Sequence, residues 1–206
     1  MVSDRELLVS WSRGDRRAGN RLFQRHFDAI YRFFAAKVRG GVDDLIQRTF
    51  LALSERAASL PADIEVRPYL FGIARHVLYR RFREDCRDGR YFDALVTSVA
   101  DLGGSPSQIA SEREQVRLLH AALQAIPVEH QIVLELYFWE DMSAAAIATV
   151  LEVPEGTVRS RIRRARELLL AALAAQASSP ALLDSTLGDL EGWARRLRAE
   201  LDRGTT

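Results

Sequence analysis

The sequence predicts an all-α protein: two small helical domains joined by a flexible linker, with a helical extension at the C-terminus. Three observations carry this expectation. Apolar residues recur at intervals of three and four along most of the chain, and no alternating strand pattern appears. Ser3 and Glu6, and again Ser111 and Glu114, have the serine-to-glutamate spacing of a capping box, which opens a helix. Between the helical stretches lies "DGRYFDALVTSVADLGGSPSQIAS", residues 88–111, with Gly, Ser and Pro and no sustained period. The divisions fall at 1–87, 88–110, 111–175 and 176–206.

The elements follow in order. The Ser3–Glu6 box starts a first helix. Phe23, Phe27, Ile30, Phe34 and Val38 give a second helix with one aromatic face, ended by Gly40 and Gly41. A third runs from about Asp43 to Ala58, burying Leu45 or Ile46, Thr49, Phe50 and Leu53. Pro68 suits the first turn of a fourth, which continues to about Glu84. After the linker come "LLHAALQAI", then Pro127 and "VEHQIVLELYFW". Ser143 can cap "AAAIATVL", and Thr157 can cap the helix that follows. "AQASSP" (175–180) breaks the pattern again. Leu183, Leu187, Leu190, Ala194, Leu197 and Leu201 then form a narrow apolar seam. That seam fits a brace on the preceding domain, a regulatory lid or, less well given Gly188 and Gly192, a dimer contact.

Composition narrows the class. The 206 residues are 48% hydrophobic and 28% charged, which is globular. The one cysteine, Cys86, fits a reducing compartment. No signal-peptide pattern or bilayer-length apolar run is found, so a cytoplasmic protein without membrane insertion is expected. His26, His76, His120 and His130 have no metal-ligand spacing, and neither a phosphate-binding Gly-rich loop nor a nucleophile motif is present. No metal, cofactor or catalytic residue is therefore expected. The net charge of +1 hides a polarised chain: residues 1–87 carry net +6 and each later division is acidic.

"VPEGTVRSRIRRAREL" (153–168) crowds five arginines between Arg159 and Arg166. At roughly 100° per residue, Val158, Ile162, Ala165 and Leu169 fall on one side and pack inward. Ser160, Arg163, Arg164 and Glu167 point away, flanked by Arg159 and Arg161. A short helix and a tight turn precede this one, so the pair reads as a helix-turn-helix whose second helix enters a major groove. The arginines suit guanine edges or phosphates, and Thr157 and Ser160 suit phosphate. A solvated charged face is the plainer alternative for such a run.

Here a family resemblance appears. "LQAIPVEHQIVLELYFWEDMSAAAIATVLEVPEGTVRSRIRRARELL" resembles region four, the promoter −35-binding region, of extracytoplasmic-function sigma factors of bacterial RNA polymerase. "LFQRHFDAIYRFF", "DDLIQRTFLAL" and "RPYLFGIARHVLYRRFRE" look like successive segments of that family's region two. The resemblance covers roughly residues 5–175. There are departures. The family commonly has Gly at the positions of Asp141 and Glu152 and Glu at that of Ala146. Gly72, His76 and Arg80 stand where Arg, Asn and Asp are usual.

The resemblance gives the fourth helix a role. Arg75, Tyr79, Arg83 and Arg87 form a stripe widened by Arg80 and Arg81, with His76 beside it. A basic surface interleaved with an aromatic suits single-stranded DNA. The resemblance assigns Arg75, His76, Tyr79, Arg80 and Arg83 to the −10 element, and loop 59–69 to capture of a flipped base. It implies that Asp44, Leu45, Gln47 and Phe50 dock on core RNA polymerase, although helix-start charge explains Asp43 and Asp44 equally well. Core RNA polymerase and promoter DNA are the implied partners, and an anti-sigma factor is admitted as a third. The linker, with a coil span of roughly 27 Å and an extended reach of some 75 Å, can bridge sites two DNA turns apart. The competing reading is a helix-turn-helix regulator that dimerises through its C-terminal helix and needs no polymerase. An all-helical enzyme or scaffold has no supporting site.

Overall fold

A computed structural model describes residues 2–61, 63–86, 91–102, 114–177 and 192. They form eight α-helices and one 3₁₀ turn in two bundles. The first bundle holds α1 (Asp4–Ser12), α2 (Arg16–Ala35), α3 (Val42–Arg56), the 3₁₀ turn Ala57–Ser59 and α4 (Val66–Asp85). The second holds α5 (Glu114–Ala125), α6 (Val128–Phe138), α7 (Ala144–Leu151) and α8 (Glu155–Gln176).

Local chemistry sets most helix starts. Ser3 and Glu6 make the expected box: the Glu6 amide donates to Ser3 Oγ at 3.2 Å, and the Ser3 amide donates to Glu6 Oε2 at 2.7 Å. Asp15 caps α2, accepting from the Arg17 and Ala18 amides. Ser143 caps α7 by accepting from the Ala146 amide at 3.1 Å. Two expectations change. The second helix ends at Ala35, ahead of the glycine pair, and Gly41 (φ 74°) instead turns the chain into α3. Thr157 does not cap α8. Pro154, extended at φ −60° and ψ 147°, is the N-cap, and the Thr157 amide donates to its carbonyl. Ser111, the Arg87 end of the basic stripe and the Leu183–Leu201 seam lie outside the described residues.

Gly19 lets α1 cross α2 closely, because a Cβ there would sit 2.6 Å from Trp11 Nε1. Helix α3 buries both Leu45 and Ile46, with Thr49, Phe50 and Leu53. The back of α8 is as expected, with Val158, Ala165 and Leu169 buried. One apolar cluster runs without a break from Leu8, Phe34, Phe71 and Leu78 of the first bundle to Ile132, Ile147 and Val150 of the second. A smaller one joins α5, α6 and α8 through Leu119, Leu123, Leu134 and Leu169.

Residues 91–102, within the stretch expected to be a flexible linker, form no helix and are anchored on both bundles. Phe92 packs on Tyr79 and Phe82. The Val128 amide donates to Thr97 O at 3.0 Å, and the Glu129 amide donates to Ala94 O at 2.9 Å.

His120 on α5 is buried, and this burial, with Lys37 nearby, pushes its pKa from 6.5 down to about 4. Between those values the unfolded chain binds the extra proton, so stability is full above pH 6.5 and falls with acidification. The shift is worth roughly 2 kcal/mol between pH 7.5 and pH 5. We expect Tm to drop by about 4–8 °C over that interval. His120→Gln should remove much of the drop, and an equal drop in wild type and variant would assign it elsewhere.

Candidate nucleic-acid interface

Helices α7 and α8 are joined by Glu152, Val153 and Pro154. Glu152 adopts the left-handed conformation (φ 57°), and its amide donates back to Ala148 O. Asp141, before α7, also has positive φ (49°), and these two are the non-glycine residues with positive φ among those described. They are also the two positions where the resembling family commonly has glycine. The turn geometry is therefore kept while the residue that favours it is not, and an L side chain in this region is strained by about 1 kcal/mol or more. Glu152→Gly should raise Tm by roughly 2–4 °C. Asp141→Gly should gain less, because aspartate tolerates this conformation better. Thermal melting of both variants checks this; a loss of stability in Glu152→Gly would refute the strain.

The front of α8 is divided. Arg159, Ser160, Arg163 and Arg164 are exposed, and Thr157 is half-buried in the first turn. Arg159 pairs with Glu155, and Arg164 with Glu167, across single helical turns. Exposed pairs of this kind are weak and yield readily to a stronger anion. Arg161 is different. Its side chain is 19% exposed and its Nη1 donates to Glu129 Oε1 at 2.5 Å.

The α4 stripe splits likewise. Arg80 and Arg83 are exposed, Arg80 pairing with Glu84. His76 is exposed and lies 3.3 Å from Glu152 Oε1. Arg75 and Tyr79 turn inward to Glu129, with the Arg75 guanidinium 4.9 Å over the Tyr79 ring. Burial, reinforced by the Glu129 charge, pushes the Tyr79 pKa well above its ordinary 10.0. Burial opposes the Arg75 charge, but the neighbouring carboxylate outweighs it and the pKa is raised. Sequence reasoning did not single out Glu129, yet it joins three residues that carry a predicted DNA role.

The α3 residues do not share one role. Asp44 is exposed and pairs with Arg48 at 2.9 Å. Gln47 is exposed. Leu45 is 1% exposed and belongs to the core, because it sits on the side of α3 that packs inward. It offers no docking surface. Phe50, itself buried, floors an open groove between α2 and α3 whose walls include Trp11, Phe23, Phe27, Gln47 and Leu51. Leu51 and Phe23 are exposed large apolar residues at that groove; sequence reasoning placed Phe23 only on the aromatic face of the second helix and did not single out Leu51. Among the described residues, no group of His, Cys, Asp and Glu is placed to hold a metal ion.

The fold and these surfaces define a class: an all-helical DNA-binding protein of two bundles, one carrying a helix-turn-helix. Residues 117–169 match the model of sigma-70 region 4. The chain is 30% identical over 169 residues to the ECF RNA polymerase sigma factor SigM of Mycobacterium tuberculosis, covering 81% of this chain and 83% of that protein. It is 28% identical over 182 residues to the RNA polymerase sigma-H factor of Pseudomonas aeruginosa, covering 82% and 93% of the two chains. Among solved structures it resembles CnrH in complex with the cytosolic domain of CnrY, with a TM-score of 0.59 at 25% identity, over 84% of this chain and 99% of that one. The fold is also that of the sigma factor RpoE in complex with the anti-sigma factor NepR from Bartonella quintana, with a TM-score of 0.57 at 20% identity, over 77% and 98% of the chains. The chain belongs to the extracytoplasmic-function family of RNA polymerase sigma factors. Its function is that of a sigma factor, directing transcription initiation.

Proposed function

We propose a division of this work along the chain. Residues 1–87 dock core RNA polymerase and engage the −10 element, 88–110 connect, and 111–175 hold the −35 element. The observation that carries the reading is the exposed basic front of α8, with Arg159, Arg163 and Arg164 projecting from a packed back directly after a tight turn. Thr157 and Ser160 serve the adjoining phosphates. On α4, Arg75, His76, Tyr79, Arg80 and Arg83 receive the unpaired strand, with Tyr79 as the stacking ring. Polymerase docking is assigned to the α2–α3 groove, with Gln47, Phe50 and Asp44 joined by Leu51 and Phe23. The chain acts as a non-catalytic subunit in the cytoplasm; none of its described helices is long and apolar enough to cross a membrane. An anti-sigma factor fits as a further partner, since CnrH and RpoE were each solved with a bound partner. A dimerising regulator that needs no polymerase is not favoured, because the likeness to sigma factors spans both bundles.

The test is transcription in vitro with sigma-free core RNA polymerase on fragmented genomic DNA. Discrete start sites that depend on this protein are expected. Polymerase binding with no sequence-dependent starts would remove the promoter assignment.

A further inference from the structure

The exposed face of α8 changes character along its length. Up to Glu167 it is charged. From Leu168 to Ala177 it carries no charged group, although Leu170, Ala171, Ala174 and Ala175 are exposed. Leu170 is 42% exposed, and one turn before it, on the same side, the Arg166 guanidinium lies 5.6 Å over the Phe138 ring. Phe138 is half-buried, and Tyr137, whose ring centroid is 5.0 Å from that of Phe138, is 41% exposed. The end of α6 and the last turns of α8 therefore present one apolar strip that no described residue covers. A helix that is apolar on every side belongs under a cover.

The chain beyond α8 has a matching pattern. Ala177 is extended (ψ 129°), so α8 stops there. Ser179 has the chemistry of an N-cap and Pro180 that of a first helical turn. A connection of only 177–179 sets two helices side by side and antiparallel. At about 1.5 Å per residue along both helices, Leu183 then comes level with Leu173 and Ala174, and Leu187 with Leu170. Charge agrees over the same stretch. Residues 180–192 carry Asp184, Asp189 and Glu191 and no basic residue, and Asp189 and Glu191 come level with Arg163, Arg164 and Arg166. Past Gly192 the agreement ends, because Arg195, Arg196 and Arg198 would come level with Arg159 and Arg161, where like charges repel. Gly192 is itself helical and buried, so the chain is packed against protein at that point.

We propose that residues 180–192 fold back as an antiparallel arm that covers the apolar end of α8, with Leu183 and Leu187 seated against Leu170 and the rim of α6. The chain leaves α8 after Gly192, so the arm braces the second bundle and leaves the arginine front uncovered. A three-residue tether gives the arm an effective concentration of order millimolar, which a second copy in dilute solution does not match.

Two measurements on the full chain test the arm. Leu170→Asp and Leu187→Asp each place a charge on one side of the contact. Each is expected to lower Tm by about 4–8 °C, and the double variant by little more than either alone, because both break the same contact. Additive losses, or a wild-type Tm in either single variant, overturn the arm; an unpartnered Leu170 would accept aspartate without effect. The second measurement replaces Cys86 by serine and introduces one cysteine pair at a time under mild oxidation. Leu170→Cys with Leu187→Cys is expected to give a monomer whose thiols resist alkylation, and Leu170→Cys with Leu201→Cys to stay reduced. A covalent dimer would seat a second copy on the strip and overturns the proposal. No disulfide, or equal closure of both pairs, overturns it too. Should an aspartate variant not fold, the disulfide pairs decide alone.

Discussion

Leu51→Asp is expected to cut association with core RNA polymerase at least about tenfold while leaving the melting temperature within a degree or two of wild type. Leu51 is 57% exposed at the mouth of the α2–α3 groove, so its substitution disturbs no core packing and places a charge where an apolar partner side chain would rest. Leu45→Ala should do the reverse. Its side chain is fully enclosed, and truncation should cost about 2–5 kcal/mol through reduced burial and the cavity left behind. A pull-down on core polymerase, beside thermal melting of both variants, separates the two. Full polymerase binding by a folded Leu51→Asp protein would remove docking from this groove.

Replacing Arg159 and Arg163 together with alanine should weaken −35 DNA binding by about 1–3 kcal/mol for each arginine that reads a base, or up to roughly twenty thousand-fold in all. Both side chains are exposed on α8 and neither is held by a buried partner, so the fold should tolerate the change. Titration against duplex at several salt concentrations tells base from phosphate. Removing a base-reading arginine relaxes sequence choice, whereas removing a phosphate-binding one weakens all duplexes alike and flattens the salt slope. Binding unchanged at every salt concentration would mean the arginine front is only a solvated face. Arg161→Ala is a mixed case, because it deletes a group predicted from sequence to face DNA and also a hydrogen-bond donor to the buried Glu129.

Much of this was legible in the sequence because it is local. Capping at Ser3 and Ser143, the aromatic face of α2 and the packed back of α8 each depend on residues within a turn or two of one another. Where the legible part stops, the cause is long-range or geometric. Periodicity placed Phe50 and Leu53 of α3 inward but left Leu45 or Ile46 open, and both are buried; that Leu51 opens onto a groove with α2 depends on how the two helices pack. Thr157 had the chemistry of a cap, but Pro154 fixed the entry of the chain three residues earlier. Glu129, Glu135 and Glu140 find their cationic and phenolic partners 32 to 108 residues away in sequence, and no spacing announces that. A faint signal existed: "VEHQIVLELYFW" is apolar on every side, so the acidic groups within it had to be buried and therefore paired. The basic stripe of α4 is real as a surface pattern, but half of it faces the other bundle.

The chain has 28 arginines and one lysine, so it carries one ε-amine. That amine is sealed. Lys37 Nζ donates to Phe33 O at 2.8 Å, pairs with Glu135 and lies 4.1 Å over the Phe33 ring, and burial lowers its pKa. Acylating reagents attack a free amine that solvent can reach, so the folded, closed molecule offers them no lysine. Any protein acylated at Lys37 must have passed through a state in which α2 and α6 parted. The site is a built-in covalent recorder of such excursions, readable as a single mass increment on one peptide. A fluorophore coupled at Lys37, as distinct from the N-terminal amine, would mark only molecules that had opened.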